Sequence, residues 1–232
     1  MLKHQNNYLC CVLLKWYTQR LFANHFRQIS LRGRVGFDRD WGRARKDGGP
    51  IIFYGNHQTW WDGFFYVHML WHYGFEYAIM MEAKNLRKYW FFRKVGVFGV
   101  NLDSILDRGR GAQYAINWLS ETSAKKRRAL VIFPHGRLVP EYEAFPAFKP
   151  GLHKMVERIK GAVAIPILTQ INYCEHRLPN VDLLIGEALH HDKMPIAAAY
   201  EQSLLNIRNS AANYFDAHNG FSEEKIWSSV LK

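Results

Sequence analysis

The stretch Ile51-Ile52-Phe53-Tyr54-Gly55-Asn56-His57-Gln58-Thr59-Trp60-Trp61-Asp62 sets an uncharged apolar run directly against a polar cluster. A short apolar run closed by a glycine predicts a strand buried on both faces. The apolar residues that follow, over 60–73, predict a helix. Strand, tight polar turn and helix together form the first half of a strand–helix–strand unit. In such units the residues that carry chemistry gather where the strand ends and the loop begins.

The same alternation continues outward from this segment. Apolar runs at 77–81, 130–133, 163–169 and 181–186 predict further buried strands, and the stretches 85–95, 109–122 and 151–160 between them predict helices. Residues 195–215 predict a closing helix. The fold class expected is therefore α/β, with a mostly parallel central sheet flanked by helices. Residues 38–50 are rich in Gly, Arg and Asp and predict an exposed connection. Ahead of it, 8–29 has apolar residues at three- and four-residue steps among Lys15, Arg20 and Arg27, which predicts an N-terminal amphipathic helical extension. Such a helix either lies in a bilayer surface or docks on its own domain. The division expected is a membrane-associating helical segment and linker at 1–48, then one catalytic-sized domain at 49–232.

Composition narrows the partners. The 232 residues carry a formal net charge of +11, which suits an anionic partner, either nucleic acid or an acidic membrane surface. Nucleic acid is disfavoured, because the aromatics sit in apolar, core-like runs and are not interleaved with cations on one surface. The three cysteines, Cys10, Cys11 and Cys174, form neither a disulfide framework nor a metal-ligand spacing. The apolar stretch at 8–14 is cut by Lys15 and is far shorter than the roughly 20 residues a membrane span needs.

Among the 11 histidines, only His57 has an aspartate five residues downstream, Asp62. Histidine is the natural general base near neutral pH, and a carboxylate on its second ring nitrogen fixes the tautomer. On a continuous helix that spacing separates the pair by about 140°. They meet only if His57 lies in the turn and Asp62 in the first helical turn, which the strand-to-helix break after Gly55 allows. Without further context, a capping or core histidine accounts for His57 equally well. No Gly-x-Ser-x-Gly elbow accompanies the pair, so a base without its own nucleophile points to direct attack by an acceptor hydroxyl. His68 and His72 are four apart but lack a third ligand, and no metal is expected.

The segment from Asn56 to Asp62 resembles the N-H-x-x-x-x-D signature of the glycerolipid acyltransferases, the group that includes lysophosphatidic acid acyltransferase. Further blocks follow in the same order. Lys84 with Lys94-Val95-Gly96-Val97-Phe98 resembles the second. Phe133-Pro134-His135-Gly136-Arg137 resembles the F-P-E-G-T-R block, and Phe148-Lys149-Pro150-Gly151 with Ala164-Ile165-Pro166-Ile167 resembles the stretch ending in the fourth. Ile185-Gly186-Glu187 resembles the strand that closes the sheet, so the likeness runs from Ile51 to Glu187.

The resemblance implies a catalytic dyad of His57 and Asp62. It implies substrate contacts from Asn56, Lys84, His135, Gly136 and Arg137, with Arg108 or Arg110 reaching the space of an arginine that the second block lacks. It implies no bound cofactor and a donor that is acyl-CoA or an acyl carrier protein. It also implies work among membrane lipids, at the cytoplasmic face, as a peripheral protein of phospholipid metabolism. His135 stands where the family has Glu, Arg137 where it has Thr, and Leu138 where it has Arg. These departures point away from lysophosphatidic acid and toward another lysolipid, an ornithine-type lipid or a glycosylated pigment as acceptor, since phosphate favours fixed arginines. Two competing expectations remain: a non-catalytic lipid-binding protein on the same fold, and a hydrolase in which water replaces the alcohol.

Overall fold

Ile51, Ile52, Phe53 and Tyr54 are each fully buried in the computed structural model, which describes residues 1–34, 49–123, 127–173, 175–190, 197–215 and 221–228. The expectations for most of the 38–50 connection, the boundary at 48/49, Cys174 and the first residues of the closing helix lie outside the described residues.

Helix α1 (Tyr8–His25) leads into strand β1 (Gln28–Arg34). Next come β2 (Ile51–Gly55), α2 (Asp62–His72), β3 (Glu76–Glu82), α3 (Ala83–Lys88), a 3-10 helix (Trp90–Val95) and β4 (Val97–Val100). These are followed by α4 (Ile105–Ser120), β5 (Arg128–Ile132), α5 (Gly151–Arg158), β6 (Val163–Asn172), β7 (Asn180–Ile185) and the two-residue β8 (Leu189–His190). Then α6 (Ala197–Asn209), a second 3-10 helix (Ala211–Phe215) and β9 (Phe221–Ser228) complete the described chain. All strands join one mixed sheet in the order β4-β3-β5-β2-β6-β7-β1-β9, with β8 beside β6. The five strands from β4 to β6 run parallel, β7 is antiparallel to β6, and β9 is antiparallel to β1. The chain is thus an α/β protein with a largely parallel sheet.

Alternate side chains of β2 explain why both faces need cover. Ile51 and Phe53 point to the face packed by Phe22 of α1 and by Phe65, Tyr66 and Met69 of α2. Ile52 and Tyr54 point to the face packed by Ile116 and Leu119 of α4, Met155 and Val156 of α5, and Tyr200 and Leu204 of α6.

The structure differs from the sequence expectations in several places, among them strands β4, β8 and β9, which no expected apolar run covers, and the closing helix, which ends at Asn209. The helix expected over 8–29 ends at His25, and its last positions belong to β1, which pairs with β7 and β9 inside the same sheet. The helix expected over 85–95 is broken at Tyr89, whose backbone leaves the helical region (φ −110°, ψ 54°). Finally, the apolar residues of α1 are spread around the helix instead of along one stripe: Thr18 and Phe22 are buried against the domain, yet Leu9, Leu13 and Trp16 face outward. Among the described residues no helix is long and apolar enough to cross a membrane.

Candidate active site

Because β4, β3, β5, β2 and β6 are parallel, their C-terminal ends lie along one edge of the sheet. Tyr54 is paired with Ile132, Gly55 with Ile167, and Glu82 with Val100. Topology therefore brings the loops after β2, β3, β4 and β5 together, although they are spread over some 80 residues of sequence (from Gly55 to about residue 138).

The turn after β2 is held from two sides. The Asn56 side chain accepts from Thr169 N–H at 2.8 Å and donates to Thr169 C=O at 3.0 Å, and Gln58 Nε2 donates to the same carbonyl at 2.5 Å. Asn56 is buried and fully engaged with the β6 backbone, so its work is to hold the turn. At Gly55 a Cβ would stand 2.1 Å from the Tyr66 hydroxyl and 2.2 Å from the Ile167 carbonyl oxygen. Only glycine lets Tyr66 close beneath the turn, where its hydroxyl donates to Ile167 C=O at 3.2 Å.

Within this turn His57 Nδ1 lies 2.8 Å from Asp62 Oδ2. Asp62 is the first residue of α2 and is fully buried. Its carboxylate also accepts from Gln58 N–H at 2.8 Å, from Thr59 N–H at 2.9 Å and from the Thr59 hydroxyl at 3.1 Å. A carboxylate fixed by so many donors accepts Nδ1–H from the imidazole and leaves the Nε2 lone pair free. Among the described residues nothing is bonded to Nε2, and the His57 side chain is 27% exposed. The opposite ring face is stacked on Phe133, with centroids 4.3 Å apart and planes 17° from parallel. The ring is thus oriented by a hydrogen bond at one edge and an aromatic plate beneath, with its basic nitrogen facing outward.

The loop after β5 wraps the dyad. Val139 N–H donates to the His57 carbonyl at 2.6 Å, and Gly136 turns at φ +69° with its own N–H on Phe133 C=O. A side chain at Gly136 would meet the Lys149 tail, with Cε and Nζ 2.8 Å from its Cβ. His135 is 3% exposed, neither of its ring nitrogens has a hydrogen-bond partner, and Phe145 and Phe148 pack around it. Burial, then the fields of Arg137 and His57, push its pKa down to about 4, so near neutral pH it is an uncharged donor–acceptor. Arg137 is exposed and its guanidinium is engaged by Glu143 and Leu138 C=O. Leu138 adds an exposed apolar side chain.

The cations of the second block are not drawn into the dyad. Lys84 is exposed and paired with Glu82 at 2.8 Å. Arg108 and Arg110 lie exposed on α4, where Arg110 contributes to the field that lowers the Asp107 pKa. His68 and His72 take separate partners, Thr18 at 2.7 Å and Glu224 at 2.8 Å. Thr59 and Phe133 lie inside the quoted blocks and Thr169 outside them, and the sequence assigns none of the three a role in the site. Thr59 had a signal: Thr-x-x-Asp at a helix start resembles a capping box. Phe133 and Thr169 are fixed by tertiary contacts alone.

This geometry can hold a neutral imidazole base beside a hydroxyl acceptor. No curated protein matches the chain. The family model described as Acyltransferase matches residues 39–170, more than half of the 232-residue chain. That span contains both loops just described and the β6 backbone that anchors them, and the chain belongs to the acyltransferase family.

Proposed function

We propose that the protein transfers a fatty acyl group from an acyl-CoA or acyl-carrier-protein thioester to a hydroxyl of a lysolipid or similar amphiphilic acceptor, with His57 as general base. The observation that carries this reading is the 2.8 Å bond between His57 Nδ1 and Asp62, which leaves Nε2 free on the open side. Nε2 takes the proton of the acceptor hydroxyl while its oxygen attacks the thioester carbonyl. Asp62 stabilises the resulting imidazolium. The tetrahedral intermediate then collapses, the carbon–sulfur bond breaks, and the departing thiolate recovers the proton from Nε2. An ester and a free thiol result, and no metal or redox partner is needed. Backbone N–H groups around the site hold the oxyanion, joined by Arg137 when it releases Glu143. The uncharged His135 and the paired Arg137 support an acceptor whose recognized group is not a phosphate. On this reading the reaction runs at the cytoplasmic face of a membrane, where an amphiphilic acceptor partitions.

A thioester-cleavage assay with long-chain acyl-CoA and a panel of lysolipids tests this directly. Thiol release should depend on acceptor and fall by roughly 10²-fold or more in His57→Ala, whose fold is retained. Undiminished turnover in that variant would remove His57 from the chemistry. Release that ignores every acceptor would instead identify a thioesterase, with water as the acyl acceptor.

A further inference from the structure

A general base becomes a cation at the moment it takes its proton, and two groups held against the His57 ring respond to that charge. One is Asp62 at the ring edge, 2.8 Å from Nδ1. Its carboxylate is shared, because Gln58 N–H, Thr59 N–H and the Thr59 hydroxyl donate to the same two oxygens. The other is Phe133, whose ring lies flat against the imidazole with centroids 4.3 Å apart and planes 17° from parallel.

A neutral imidazole stacked on a phenyl ring gains little beyond dispersion. An imidazolium in the same place meets the negative face of the ring quadrupole and gains a cation–π attraction. That attraction therefore grows as His57 takes the acceptor's proton, which is the condition for lowering a barrier and not merely tightening a ground state. With the His57 side chain only 27% exposed, water screens the contact less than it would a pair on the open surface.

The phenyl ring is braced from behind. Phe133 follows β5 directly, and its carbonyl accepts from Gly136 N–H at 3.0 Å, in the turn where Gly136 takes φ +69°. Tyr66 meets it edge-on, with centroids 5.4 Å apart and planes at 80°. Tyr66 is fully buried on α2, one helical turn after Asp62, and its hydroxyl is anchored on Ile167 C=O at 3.2 Å. The helix that supplies a carboxylate to the edge of the imidazole thus also fixes the plate against its face.

We propose that Phe133 is a positioning residue that acts through His57, its ring face stabilising the imidazolium formed when the acceptor hydroxyl is deprotonated. The inference rests on the acyl-transfer reading and deepens it by assigning the base a second stabiliser beside Asp62. No atom of Phe133 enters the bonds made or broken.

The test replaces Phe133 in the full chain with mono-, di- and trifluorinated phenylalanines, which nearly keep the shape of the ring while weakening its negative face. Thiol release from long-chain acyl-CoA is then read with the lysolipid that the panel selects. The value of kcat should fall stepwise with fluorine number while the KM values of donor and acceptor are unchanged. Phe133→Leu, which removes the face, should lower kcat by roughly three- to thirtyfold, and Phe133→Tyr, which keeps it, should retain most of the rate. A flat fluorine series overturns the proposal whatever Phe133→Leu does, because Phe133 would then only fill space. A rise in either KM at constant kcat also overturns it, since the ring would then touch substrate. Should Phe133→Leu fail to fold, the fluorinated chains decide. Failure of the underlying reading looks different: His57→Ala would keep its turnover, or the wild type would release no thiol with any acceptor, whereas a flat series with an inactive His57→Ala sinks the Phe133 assignment alone.

Discussion

At the scale of single residues, His57 and Asp62 are unequal in what surrounds them. The His57 side chain is partly open and held by one hydrogen bond and one ring contact, whereas Asp62 is fully buried and ties down two backbone N–H groups and a hydroxyl besides. Asp62→Asn keeps the shape but turns one oxygen into an amide donor facing other donors. The variant should lose transfer by roughly 10²- to 10⁴-fold and also about 1–3 kcal/mol of stability. His57→Ala should lose transfer while its melting temperature barely moves. Paired activity assays and thermal melts check this, and equal melts for the two variants would mean that the buried donors are satisfied elsewhere. The dyad was legible in the sequence because its two members lie in one turn, five residues apart, at a strand end. The Arg137–Glu143 pair was not, since spacing cannot say which of several nearby partners a long side chain selects. Nor could it show that Asn56 bonds the β6 backbone on both sides of its amide.

Elements were legible where burial is total and harder where it is shared. Strand β2, buried at every position, and the apolar runs at β5 and β6 are unmistakable, as are helices α2 and α5. Strand β1 escaped because Phe26 and Ile29 also continue the three- and four-residue step of α1. Its own alternation had a signal: Gln28, Ser30 and Arg32 join a polar group with Asp182 and Glu223, while Ile29 and Leu31 enter the core. Burial of α1 depends partly on a titratable group. His68, on α2, meets Thr18 of α1, and its pKa is pushed down to about 3 by burial and then by Lys15. A folded-state pKa below the unfolded value near 6.5 means that the unfolded chain binds the extra proton first. Stability is complete above that unfolded pKa and is lost as pH falls toward the folded one, by about 1.4 kcal/mol per pH unit for His68 alone. Thermal unfolding at pH 7, 6 and 5 should show this slope, and His68→Gln should flatten it. An unchanged slope in the variant would assign the acid sensitivity to His135 or His4, whose pKa values are both lowered to about 4.

Across the whole molecule, the sheet order separates the reaction from part of what holds the fold together. The dyad loop leaves β2 at the middle of the sheet, while β9 lies at one margin, with β6, β7 and β1 between them. Yet β9 is tied to both layers beneath it. Glu223 bonds Gln28 and Ser30 of β1, Glu224 takes His72 and the Tyr73 hydroxyl at the end of α2, and Trp227 packs edge-on against Phe22 of α1. Deleting 221–232 would uncover the edge of β1 and strip part of the cover from the Phe22 cluster. Losing one half-buried tryptophan and these bonds amounts to at least about 3 kcal/mol, or a melting temperature lower by roughly 6–12 °C for a chain of this size. Turnover per folded molecule at low temperature should stay near the full-length value, because none of the groups that hold His57 and Asp62 lies in β9. Calorimetry of the truncated chain, set beside its thiol-release rate, separates the two effects. A truncated protein that melts normally would mean that β9 only lies against the sheet. One that is folded but inactive would mean that α1 and α2 transmit their packing to the dyad through the Phe22–Trp61 contact, making the C-terminal strand part of the catalytic support.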